Sequence, residues 1–119
     1  MTPPLGEPPG AASHVTAAEA LARVAGDRGP RSVEVFRHGS LQAKVYAPRR
    51  VDPQEPHGRD EAYVVLAGTG RFFDGATRRP FARGDFLFVA AGREHRFEDF
   101  SDDFATWVLF YGPEGGEAE

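Results

Sequence analysis

The strongest constraint on the fold is the punctuation of residues 31–112, where short runs of β-formers are broken repeatedly by glycine-bearing turns. "RSVEVFRHGSLQAKVYA" is two such runs joined at His38-Gly39-Ser40, a hairpin signature. "EAYVVLA" follows, and "GRFFDGATRRPFA" then turns at Asp74-Gly75. "GDFLFVAAG" starts at Gly84, "EHRFEDF" is next, and "FATWVLFYG" closes the series. Short apolar runs bounded by turn residues are strands, so the pattern predicts an all-β sandwich or barrel over 31–112. No internal repeat stands out.

One segment breaks the strand pattern. "TAAEALARVAG", within residues 15–27, reads as a single short helix: Thr16 caps it, Glu19 is the capping-box partner and Gly26 stops it. Leu21, Val24 and Ala25 form its narrow apolar stripe, and a helix this short must lie against something to persist. Residues 1–14 hold four prolines and little that packs, so a mobile tail is expected there. Residues 113–119, "PEGGEAE", are acidic and glycine-rich and are expected to fray.

In "FATWVLFYG" both alternating sets are mostly apolar, Phe104/Val108/Phe110 and Ala105/Trp107/Leu109/Tyr111. Both faces of that strand are therefore expected to be covered. The N-terminal helix is one candidate cover; a second subunit, giving a homodimer, is the other and the favoured one.

The 119 residues make one domain, large enough to bury about 65% of the unfolded chain's surface. The absence of cysteine excludes disulfides, thiolate metal sites and thiol nucleophiles, and it suits a cytoplasmic setting. A net charge of −4 without a basic stripe argues against nucleic acid as a partner. No apolar run reaches membrane-spanning length, and "MTPPLGEPPG" does not read as a signal peptide.

What remains is the chemistry of "EPHGRDEAYVVLAG", residues 55–68, which crowds ionisable groups at the mouth of an apolar strand. Of the four histidines, His14 sits in the tail and His38 in a turn. His57 stands four residues before Glu61, and His95 follows the glycine-punctuated strand "GDFLFVAAGREH". Two imidazoles and a carboxylate form a set used by non-haem iron and equally suited to Mn, Ni, Cu or Zn.

These residues resemble the two motifs of a small single-domain cupin. The first supplies His57, three residues, Glu61, six residues and Gly68; the second supplies Gly84, five residues, Ala90, Ala91, Gly92, two residues, His95, three residues and Asp99. The resemblance implies a cupin double-stranded β-helix, a jelly-roll barrel, holding one divalent ion (Fe, Mn, Ni or Zn) through His57, Glu61 and His95. The family's usual first histidine is replaced by Glu55, Arg49 stands in place of its leading glycine, and Ala90 and Asp99 replace proline and asparagine. Glu55 shares strand parity with His57 and is the favoured fourth ligand; Pro56 can instead bend the chain so that Gln54 points inward.

Arg59, with its planar fork, is a candidate clamp for a substrate carboxylate. Tyr63, with Phe97, has the parity to line a pocket. The resemblance admits oxygenase, isomerase, decarboxylase and lyase chemistry on a small polar molecule, and equally a non-catalytic ligand-binding module with a partial metal site. A DNA-linked regulator is disfavoured because no helix-turn-helix accompanies the barrel.

Overall fold

Alternation along the strands sorts the apolar residues into two sets, and the computed structural model, which describes residues 13–118, turns those sets into two clusters on opposite faces of one sheet. The elements are α1 (Ala17–Arg23), β1 (Ser32–His38), β2 (Leu41–Tyr46), β3 (Asp60–Ala67), β4 (Thr69–Phe73), β5 (Arg78–Ala82), β6 (Phe86–Val89), β7 (Arg96–Glu98) and β8 (Ala105–Tyr111). A five-stranded sheet runs β1-β2-β8-β3-β6 and a three-stranded one β5-β4-β7, with every pairing antiparallel.

The inner cluster fills the space between the sheets: Tyr63 and Val65 from β3, Phe72 from β4, Phe81 from β5, Val89 from β6, Phe97 from β7, and Phe104 and Val108. Phe97 is its hub, with ring centroids 4.7–5.5 Å from those of Tyr63, Phe72, Phe81 and Phe104. Edge and tilted pairs of this kind add to area burial, which alone is worth about 1.5–3 kcal/mol for one fully buried large apolar side chain.

The outer cluster answers the question raised by β8. Ala20 of α1 and Val24, its C-cap, pack with Val35, Ala43, Val45, Ala47 and Ala105, and Trp107 and Leu109 lie against them. The helix therefore covers part of that face. Its buried stripe is Ala20 and Val24, with Leu21 at the margin; Ala20 takes the place expected for Ala25, which is exposed. Thr16 caps it by accepting from Glu19 N at 3.1 Å.

Two glycines matter to the site. Gly68 links β3 to β4 at φ +90°, and a Cβ there would stand 2.7 Å from Phe104 Cα, so the β3–β4 turn can press against the residue just before β8. Gly92, at φ +79°, turns the chain between Val89 and His95, and its N–H donates to His57 O at 2.6 Å. The two motif segments are thus joined by backbone before any side chain is considered.

The expected mobile tail falls, apart from Ser13 and His14, outside the described residues. At the other terminus the segment expected to fray makes hydrogen bonds to the body of the chain. Gly115 N donates to Gly58 O at 2.7 Å and Glu117 N to Asp60 Oδ2 at 2.8 Å, so residues 113–118 lie strapped over the loop that carries His57.

Candidate metal centre

Glu61 points inward from β3 and is 0% exposed. His95 enters from the turn before β7, also buried, and its Nδ1 lies 2.9 Å from Arg93 O. Because a carbonyl only accepts, that contact puts a proton on Nδ1 and directs Nε2 toward Glu61. His57 stands in the loop before β3 with its side chain one-third exposed, and it is the ligand candidate nearest solvent.

Donor atoms of these three residues lie within 4.8 Å of one another. His95 Nε2 is 2.9 Å from Glu61 Oε1, and His57 Nε2 is 3.8 Å from the same oxygen. Yet Glu61 Oε1, Glu61 Oε2 and His95 Nε2 are buried without a hydrogen bond of acceptable geometry among the described residues. Nε2 and Oε1 are close but misaligned, which leaves an ion-pair contact and not a directed bond. Buried polar atoms are almost always paired, and a cation meets the need of all three at once. The residues present therefore fit a divalent ion.

Burial pushes the charged form of His95 down, but the Glu61 carboxylate and the Arg93 carbonyl outweigh it, and its pKa is raised. Tyr63, buried and near Glu61, has its phenol pushed well above the ordinary range, so it remains a neutral O–H donor.

The two candidates for the fourth position are placed differently. Glu55 is exposed and outside the group, whereas Gln54 turns inward, its Oε1 3.1 Å from His57 Nε2 and 3.2 Å from Tyr63 Oη. The cause is local. Asp52, followed by Pro53, accepts from Gln54 N at 3.2 Å in an Asx turn, and its Oδ2 accepts from Gln54 Nε2 at 2.8 Å. Asp52 is buried, also accepts from Phe97 N at 2.8 Å, and receives the hydroxyl of Tyr46. Burial first, then Asp52, raises the Tyr46 pKa.

Arg59 lies in the same loop and is engaged elsewhere. Its Nε donates to Gly112 O at 3.0 Å and its Nη2 to Ser40 O, tying the β1–β2 turn to the end of β8 and holding the guanidinium against backbone carbonyls outside the His57–Glu61–His95 group. Tyr63 is core in its ring and polar at its tip, reaching the site through Gln54. Tyr46 and Asp52 were not anticipated. The signal was present in "VDPQ", an Asp-Pro turn, but nothing in one strand's spacing says that a distant turn folds back into the barrel.

The model of the cupin domain matches residues 44–111, which contain both motifs and all three candidate ligands. This chain belongs to the cupin family. An uncharacterized protein of Streptomyces coelicolor is 32% identical over 84 residues, covering 69% of this cupin and 80% of that protein. Among solved structures, the DMSP lyase DddQ of Ruegeria pomeroyi is 30% identical with a TM-score of 0.56; the match covers 73% of this chain but only 43% of DddQ. A cupin-2 domain protein of Shewanella frigidimarina has a TM-score of 0.63 at 14% identity, with 82% and 94% covered, a likeness of fold. In that fold, the loop and strand carrying His57 and Glu61 and the turn carrying His95 face one interior.

Proposed function

We propose that this cupin binds a divalent transition-metal ion at His57, Glu61 and His95 and uses the centre to hold and transform a small polar molecule. The observation that carries the reading is the set of three buried, unbonded polar atoms on Glu61 and His95. Two imidazoles and a carboxylate leave coordination positions open, and the bound ion would supply Lewis acidity or dioxygen activation there. The chain's own residues do the rest. Arg93 O holds the His95 tautomer, Glu61 brings the compensating negative charge, and His57 stands on the solvent side where an ion enters. The oxygenase, isomerase, decarboxylase and lyase classes come from the family, and the lyase class also from the name of DddQ. The chain spans less than half of that protein, so its substrate is not carried over.

A non-catalytic reading rests on a specific observation too: His95 Nε2 and Glu61 Oε1 at 2.9 Å can persist as a metal-free ion pair beneath a bound ligand. Thermal unfolding separates the two. Micromolar Mn(II), Co(II) or Ni(II) should raise the Tm of the wild type by several degrees and leave that of His57→Ala/His95→Ala unchanged. An equal response in both proteins would end the metal reading.

We also propose a homodimer in the cytoplasm. Phe86 and Phe88, 65% and 48% exposed on edge strand β6, offer an apolar surface for a second copy, and the chain's lack of cysteine fits a reducing compartment. A sedimentation mass equal to one chain at micromolar concentration would contradict the dimer.

A further inference from the structure

We infer that Gln54 is the fourth protein donor of the metal centre, through its carboxamide oxygen. The inference rests on the reading of His57, Glu61 and His95 as ligands and goes beyond it, since that reading names three protein donors only.

An amide can present either end, so the first question is which end faces the site. Asp52 answers it. Its carboxylate only accepts, and Oδ2 lies 2.8 Å from the distal nitrogen of Gln54; that nitrogen is therefore the donor and Oε1 is turned the other way. Asp52 is held in turn by the Phe97 amide at 2.8 Å, by the Tyr46 hydroxyl and by the Gln54 amide at 3.2 Å. The orientation of Oε1 is thus set by a buried network and not by Gln54's own rotamer.

The second question is where that oxygen lies. It is 3.1 Å from His57 Nε2, and the parallel distance from His95 Nε2 to Glu61 Oε1 is 2.9 Å. Neighbouring donors on an octahedral ion with bonds of about 2.1 Å lie about 3 Å apart. Both contacts therefore have the length of an edge of a coordination polyhedron. In the metal-free protein, the His57 ring N–H donates to Gln54 Oε1 across that edge. In the other neutral tautomer the same proton sits on Nδ1, so His57 Nε2 would offer its lone pair to an ion and Gln54 Oε1, 3.1 Å away, would stand beside that ion with a lone pair of its own. Tyr63 Oη, 3.2 Å from Oε1, occupies its other side.

The consequence is chemical. A neutral oxygen in place of the family's usual third imidazole makes this a harder site, favouring Mn(II) and Fe(II) relative to a site with three histidines. It also preserves the single negative charge brought by Glu61.

The test uses the full chain, stripped with chelator and loaded with Mn(II). Electron paramagnetic resonance of free Mn(II) gives the affinity, and water-proton relaxation gives the number of inner-sphere waters. Gln54→Met keeps length and bulk without a hard donor; Gln54→Ala removes the side chain. Circular dichroism checks that both fold. The expectation is a loss of affinity of about tenfold or more in both variants, with one additional bound water. Unchanged affinity, or reduced affinity with an unchanged water count, would make Gln54 only a hydrogen-bond partner of His57 and overturn the inference while leaving the metal centre standing. A wild type that binds no Mn(II), Co(II) or Ni(II) would instead overturn the three-ligand reading beneath it.

Discussion

His95 Nε2 and Glu61 Oε1 stand 2.9 Å apart with side-chain exposures of 0% and 1%, yet they are not aligned as donor and acceptor. A structural ion pair in a dry interior is expected to optimise that alignment, because its stability depends on good geometry. A metal site has no reason to.

Glu61→Gln separates the two roles. In the metal-free protein it should change Tm by no more than a few degrees, since His95 can become neutral once the carboxylate has gone. The metal-induced rise in Tm should disappear. A large fall in metal-free Tm with the metal response intact would identify the pair as structural.

The pH dependence follows from the raised His95 pKa. In the metal-free protein, a histidine raised above its ordinary value of about 6.5 adds stability that is fully present below that value and is lost as pH rises through the folded-state value. A metal must displace the same proton, so its affinity should fall about tenfold per pH unit below the folded-state pKa. The gap in Tm between loaded and metal-free protein should therefore widen from pH 5.5 to pH 8. A constant gap would exclude His95 as a ligand that loses a proton.

Arg59 joins two distant turns through the carbonyls of Gly112 and Ser40. Arg59→Met should cost about 1–2 kcal/mol, lowering Tm by roughly 5–10 °C. Mn(II) affinity should stay within a factor of two. A tenfold change in affinity with unchanged Tm would return Arg59 to the site.

Asp60 clips the C-terminal strap, its carboxylate accepting from Ala91 N at 2.9 Å and Glu117 N at 2.8 Å, and these bonds lower its pKa. The stability it adds is present above the unfolded carboxyl pKa of about 3.9 and is lost as pH falls through the lower folded value. Asp60→Asn should therefore lower Tm at pH 7 and flatten its decline between pH 5 and pH 3. It should also speed amide exchange at Glu117 and Gly115. Unaltered exchange there would show that the strap holds without the clip.

The strands were legible because turn residues and alternation are local signals, and every run read between Arg31 and Tyr111 became a strand. The convergence of His57, Glu61 and His95 was legible only through the resemblance, since no local rule joins residues 57 and 95. The fourth position was not legible. Strand parity pointed to Glu55, but parity holds only where the chain is pleated, and residues 52–59 are loop, set by Asp52, Pro53 and Pro56. Arg59 belongs to the same loop, and nothing local in the sequence indicates its bonds to the Gly112 and Ser40 carbonyls. The bonds of residues 113–118 were not legible either, because the composition there suggests disorder while the acceptors are a carbonyl, Gly58 O, and a carboxylate, Asp60, elsewhere in the chain.

The most direct test of the metal centre is elemental analysis of protein purified without chelator, beside His57→Ala/His95→Ala prepared identically. The account predicts close to one transition-metal ion per wild-type chain and almost none in the double variant. Equal trace metal in both would contradict it.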